Sequence, residues 1–114
     1  MRRLVVSVDA RIAVAVALAV SLDDFGPAAA DRYRTLIQRA YRDLADNPER
    51  PGTKAHAELP ADIRLYPIRH SNARIAAADR VSRPRHVIAF RYDAERVEIV
   101  HVLHERMDLP RRLR

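Results

Sequence analysis

Ala10-Arg11-Ile12-Ala13-Val14-Ala15-Val16-Ala17-Leu18-Ala19-Val20 can be read in two ways, and the choice decides the fold. Read as a helix opened by Asp9 and running to about Asp24, it places Ile12, Val16 and Val20 in one stripe. Val14, Leu18, Leu22 and Phe25 fall in a second stripe. Two residues advance a helix by about 200°, so the stripes lie on nearly opposite faces with alanines between them, and no polar face remains. Such a helix must be covered on both sides. One side can meet the protein's own sheet. The other can meet a second polypeptide, or be closed internally by the next helix and the loops. The competing reading takes Val14, Val16, Leu18 and Val20 as an alternating strand.

Working outward, Arg3 to Val8 is a short β-branched stretch expected to form a mostly buried strand. Phe25-Gly26 ends the helical segment and Pro27 suits the first turn of a second helix. That helix carries Tyr33, Leu36, Ile37, Ala40, Tyr41 and Leu44 at three- and four-residue spacing. Asp31, Arg34, Gln38, Arg39, Arg42, Asp43 and Asp46 lie on its other face, and Asn47-Pro48 stops it. The two helices make a tight αα-hairpin. Asn47 to Asp62, with three prolines and a glycine, is expected to be a surface loop.

The remainder reads as strands. Ile63 to Arg69 alternates, with Pro67 placing it at an edge or a bulge. His70 to Ser82 is a polar, alanine-rich excursion. Arg85 to Tyr92, the turn Asp93-Ala94-Glu95 and Val97 to Leu103 form a hairpin. His86, Ile88, Phe90 and Tyr92 share one face of its first strand. The expected architecture is α+β: an N-terminal strand, an αα-hairpin and a three-stranded antiparallel meander, with the helices on one face of the sheet. With 114 residues, one domain over 1–114 is expected.

Composition narrows the function. No cysteine is present, which removes disulfides, thiolate metal sites and cysteine nucleophiles and suits a cytoplasmic home. The longest apolar run, Ile12 to Val20, has nine residues, against about 20 needed to span a bilayer as a helix. Residues 1–62 hold 9 Lys+Arg and 9 Asp+Glu, while residues 63–114 hold 12 and 6, so the net +6 lies in the second half. A basic half points to an acidic or nucleic-acid-associated target, or to nothing more than a solvated surface. Gly26 and Gly52 are the only glycines, which excludes a glycine-rich phosphate loop. A metal site is not expected either, because Glu98 and His101, or His101 and His104, would fall on opposite faces of a strand. No cofactor is expected.

Four stretches carry a resemblance. Ser21-Leu22-Asp23-Asp24-Phe25-Gly26-Pro27-Ala28-Ala29-Ala30-Asp31-Arg32-Tyr33 resembles the helix-hairpin corner of ParE-type toxins. Leu65-Tyr66-Pro67-Ile68-Arg69-His70 and Pro84-Arg85-His86-Val87-Ile88-Ala89-Phe90-Arg91-Tyr92 are similar to successive strands of that family. Val102-Leu103-His104-Glu105-Arg106-Met107-Asp108-Leu109-Pro110 resembles its closing strand and tail. One departure is the absence of acidic residues from Ala10 to Val20, where the family's first helix usually carries them.

The resemblance implies a RelE/ParE-like fold and the toxin of a type II toxin–antitoxin module, neutralised by a ParD-like antitoxin that lays a helix and an extended segment across it. Ile12, Val16, Val20, Tyr33 and Ile37 are the expected antitoxin contacts. ParE-type toxins poison DNA gyrase, and the residues expected to meet the target are Arg69, His86, Arg91, His104, Arg106, Arg111 and Arg112. The alternative is a RelE-type cut of messenger RNA on the ribosome, which needs a base, an acid and cations. His104, Arg64, Arg85 and Arg91 are the residues it would use. RelE-type nucleases resemble one another in a Tyr or His near the C-terminus, and the tail beyond His104 has neither, which favours a non-enzymatic gyrase poison. A third reading is a plain nucleic-acid-binding module resting on the basic meander and tail, although the helical hairpin lacks a basic recognition face.

Overall fold

A computed structural model describes residues 1–106 and residue 113. The chain runs β1 (Arg3–Val6), α1 (Val8–Phe25), α2 (Pro27–Asp46), β2 (Lys54–Ala55), β3 (Arg64–Pro67), α3 (Arg69–Asn72), a 3₁₀ turn at Ala77–Asp79, β4 (His86–Tyr92) and β5 (Arg96–His104). The sheet order is β1-β5-β4-β3-β2. β1 pairs with β5 in parallel, and every other pair is antiparallel. This is the expected α+β arrangement with one more strand. β2 arises inside the segment 47–62, read above as loop, because two exposed residues are too short to show any alternation.

The disputed stretch is a helix. Its N-cap is Ser7 rather than Asp9: the Ser7 hydroxyl accepts the Ala10 amide at 3.0 Å, so β1 ends two residues earlier than the β-branched run suggested. Gly26, at φ 90°, ends α1 and leads directly into Pro27 of α2. Pro67 closes β3 beyond the reach of β2, which pairs only with Arg64 and Leu65, so that end of the strand is locally an edge.

The main core lies between the hairpin and the sheet. Leu36, Ile37, Ala40 and Leu44 of α2 pack with Tyr66, Ile68, Ile88, Phe90, Val97 and Ile99, and α1 contributes Ala10 with the partly buried Ala13 and Val14. A smaller cluster on the opposite face joins Leu59, Ile63, Leu65, Val87 and Ala89, with Val100 and Leu113 against it. Burying both faces explains why β4 is apolar over four consecutive residues.

A bulge falls in the β4–β5 ladder: Ala89 pairs with His101 while Phe90 pairs with Ile99, leaving Val100 without a partner. The extra residue changes the alternation. Val97 and Ile99 point to the helices before it, and Val102 and His104 do so after it, so Glu98 and His101 lie on the same outer face. The bulge thus overturns the expectation that Glu98 and His101 fall on opposite faces. Among the described residues no group of three His, Cys, Asp or Glu converges. No helix among them is long and apolar enough to cross a membrane.

Candidate functional site: an open apolar face leading into a cationic groove

Helix α1 is wider in its apolar surface than the sheet beneath it. Only Ala10 is fully buried; Ile12, Val16 and Val20 remain 57%, 58% and 53% exposed. The opposite stripe starts in the core at Val14 but emerges at its far end, where Leu22 and Phe25 project beyond the sheet. Internal closure by α2 and the loops, like the strand reading, is thereby excluded. The exposed stripe descends through Val20 into a groove of about 700 Å³.

The groove lies between the α1–α2 corner and the paired ends of β4 and β5. Ala17, Val20, Phe25 and Ala29 supply apolar walls, while Arg32, Arg83 and Arg85 supply cations. Arg83 reaches its place with φ 53°, the one positive φ outside glycine among the described residues. Arg85 binds Glu105 at 2.7 Å, and that hydrogen bond holds the Glu105 carboxyl below its usual range.

Three proton-carrying side chains meet at the groove. His86 and His104 are cross-strand partners whose ring centroids lie 5.5 Å apart at 78°. The Tyr33 hydroxyl hydrogen-bonds His86 Nδ1, and their rings meet edge to face. Burial, then the neighbouring His104, pushes the His86 pKa down to about 4, while burial pushes Tyr33 up to about 12. Both are therefore neutral near pH 7, and which of the Tyr33 hydroxyl and His86 Nδ1 donates depends on the imidazole tautomer. His104 Nδ1 accepts the Arg106 amide at 3.1 Å.

Of the residues expected to meet an antitoxin, Ile12, Val16 and Val20 line the open face and Tyr33 lines the groove. Ile37 does not belong with them. At 2% exposure it is committed to the helix–sheet core, because the apolar stripe of α2 faces inward over its whole width. Of the target-facing set, His86 and His104 are in the groove, whereas Arg69 and Arg106 are exposed nearby on α3 and after β5. Arg91 is elsewhere, on the outer face, bound to Glu98 at 2.8 Å and Asp62 at 3.5 Å. Arg111 and Arg112 lie outside the described residues.

The nuclease set is likewise not assembled. His104 and Arg85 adjoin the groove, but Arg64 pairs with Phe90, four residues or about 13 Å further along β4 from His86, and Arg91 faces the other side of the sheet. Sequence reasoning placed Arg83 only in the general basic surface, and it missed Arg32 and the Tyr33–His86 contact. No spacing announces a bond between residues 53 apart in the chain.

What the fold and groove define is a class: an α+β sandwich with a helical hairpin on one sheet face and a groove at the hairpin's corner. The sequence matches the family described as ParE toxin of type II toxin-antitoxin system, parDE, over residues 17–109, and the chain belongs to that family. Its fold is similar to a solved structure, the chromosomal ParDE TA system from P. aeruginosa, with a TM-score of 0.68 at 12% identity, covering 91% of this chain and 96% of that one. No curated protein matches the chain by sequence.

Proposed function

We propose that this chain is a single-domain, cytoplasmic type II toxin that inhibits DNA gyrase and is silenced when a cognate ParD-like antitoxin covers α1. The observation that carries the antitoxin half is the unbroken apolar path from Ile12 through Val16 and Val20 into the groove. Each of these side chains, left in water, forfeits roughly 1–2 kcal/mol of burial that a partner can supply. An amphipathic helix fits the exposed stripe, with apolar anchors spaced to match residues 12, 16 and 20. Arg32 and Arg83 at the groove favour carboxylates beside those anchors.

For the target, the scattering of Arg64, Arg91 and His104 supports inhibition by binding over RNA cleavage. A second reading is favoured by one observation, the neutral His86 between Tyr33 and His104 with Arg85 beside it, which offers a base and a cation in one groove.

One comparison separates them. Induced expression is expected to produce filamentation and a DNA-damage response, and purified protein to inhibit supercoiling by gyrase. Transcripts cut at codons on stalled ribosomes, with supercoiling untouched, would replace the gyrase reading by the nuclease one.

A further inference from the structure

Outside the groove lining, where the end of α2 meets α3, lies a second cationic cluster, joined to the groove strand through the Ile68 amide on the His86 carbonyl. Asp43, at 4% exposure, accepts Ser71 Oγ at 2.7 Å and is approached by Arg39 at 3.1 Å, Arg74 at 3.2 Å and Arg50 at 3.6 Å. A guanidinium carries about five N–H donors and a carboxylate about four acceptor sites, one of them here taken by Ser71. One carboxylate therefore leaves most of the donors of three arginines unused. The Nε of Arg50 is buried without a partner, while its guanidinium is held over the Tyr66 ring at 5.7 Å.

Lys54 and Arg69 add two exposed cations on the same side. Their proximity is registered at His70, which packs on Gly52 and whose pKa is lowered first by burial and then by Arg69, Arg50 and Lys54. Neither Lys54 nor Arg69 has an ion-pair partner among the described residues. Glu105, the acid near Arg69, is engaged by Arg85, and Glu49 accepts the Tyr92 hydroxyl. Three guanidiniums thus meet one buried anion, with Lys54 and Arg69 on the neighbouring β2 and α3.

The arrangement differs from an ordinary solvated basic face in being pre-formed. Asp43 fixes three guanidiniums relative to one another, so their free donors lose little freedom on meeting oxygens from outside. Fixed guanidiniums flanked by two further cations, with no base-reading geometry, suit the spaced oxygens of repeated phosphodiesters.

We propose that Arg39, Arg50, Lys54, Arg69 and Arg74 form a site for the backbone phosphates of duplex DNA. This rests on the gyrase reading only for the choice of polyanion: a toxin acting on an enzyme that holds duplex DNA would be retained there through the DNA as well as the protein.

The test needs no gyrase. Binding of the purified full-length toxin to a fluorescent duplex of about 20 base pairs is followed by anisotropy between about 50 and 200 mM salt, the range over which phosphate contacts weaken steeply. The Lys54→Gln/Arg69→Gln double variant leaves the Asp43 cluster intact, and circular dichroism checks its fold. Its plot of log affinity against log salt is expected to be shallower by about 1.8, two contacts at roughly 0.9 each. The Arg32→Gln/Arg83→Gln control, equal in charge but in the groove, is expected to keep the wild-type slope. An equal drop in both variants would reduce the effect to net charge and overturn the site. So would absence of DNA binding at the lowest salt, or tighter binding to single-stranded RNA of the same length. Supercoiling inhibition measured separately reports on the gyrase reading, whichever way this result falls.

Discussion

The hydroxyl of Ser7 donates to the carbonyl of Val100 at 2.6 Å and accepts the amide of Ala10 at 3.0 Å. One atom thus caps α1 and ties it to the unpaired bulge residue of β5. Removing it orphans a helix-terminal N–H and a carbonyl in a half-buried place. Ser7→Ala is expected to lower stability by about 1–2 kcal/mol, with Ser7→Asp recovering only the cap, since a carboxylate accepts but cannot donate. Urea denaturation of the three proteins measures this, and an unchanged midpoint in Ser7→Ala would refute the bridging role.

Val16→Asp tests the open face of α1. At 58% exposure Val16 makes little contact with the toxin's own core, so the change is expected to shift stability by less than about 1 kcal/mol. Antitoxin affinity is expected to fall at least about 100-fold, because a carboxylate would be buried against an apolar anchor. Ile37→Asp is expected to do the reverse and unfold the protein, since a charge would enter the core. Titration calorimetry beside thermal melts separates the two effects. Wild-type affinity in Val16→Asp would remove this face from the antitoxin interface.

The helical hairpin was legible because Phe25-Gly26-Pro27 is a local signal, and the β4–β5 hairpin because its alternation is long. What sequence could not yield has a common physical cause: it depends on parity or on distance. The bulge at Val100 inverts the facing of everything after it, and β2 is too short to show a period. Asp43 reads as a solvated residue on the polar side of α2, yet Ser71 and Arg74, far along the chain, arrive to bury it. The same limit separates Val16 from Ile37. Both are apolar residues at helical spacing, and only the position of the sheet decides which is left bare.

Asp43→Asn keeps the shape but removes the one charge that gathers Arg39, Arg50 and Arg74. Breaking a buried ionic cluster from the minority side leaves cations repelling one another. A loss of about 1–2 kcal/mol is expected, less than for a fully buried pair because Arg39 and Arg74 stay partly in water. Added salt is expected to restore part of it by screening that repulsion. A variant as stable as the wild type at low salt would show that the arginines are content without the carboxylate.

His86 gives the fold a dependence on pH whose sign is fixed. Its folded pKa, about 4, lies below the ordinary 6.5, so between those values the unfolded chain binds a proton that the folded protein refuses. Stability from this residue is complete above pH 6.5 and is lost as pH falls toward 4. A fully buried ring would lose on the order of 3 kcal/mol, and discounting for partial exposure leaves about 1–2 kcal/mol. Protonation would fix Nδ1 as the donor, leaving the Tyr33 oxygen as its acceptor. His86→Gln keeps a polar partner for Tyr33 and does not titrate. Denaturation midpoints at pH 7, 5.5 and 4.5 are expected to fall less steeply in this variant than in the wild type. Parallel pH profiles for the two proteins would assign the acid sensitivity to the carboxylates instead.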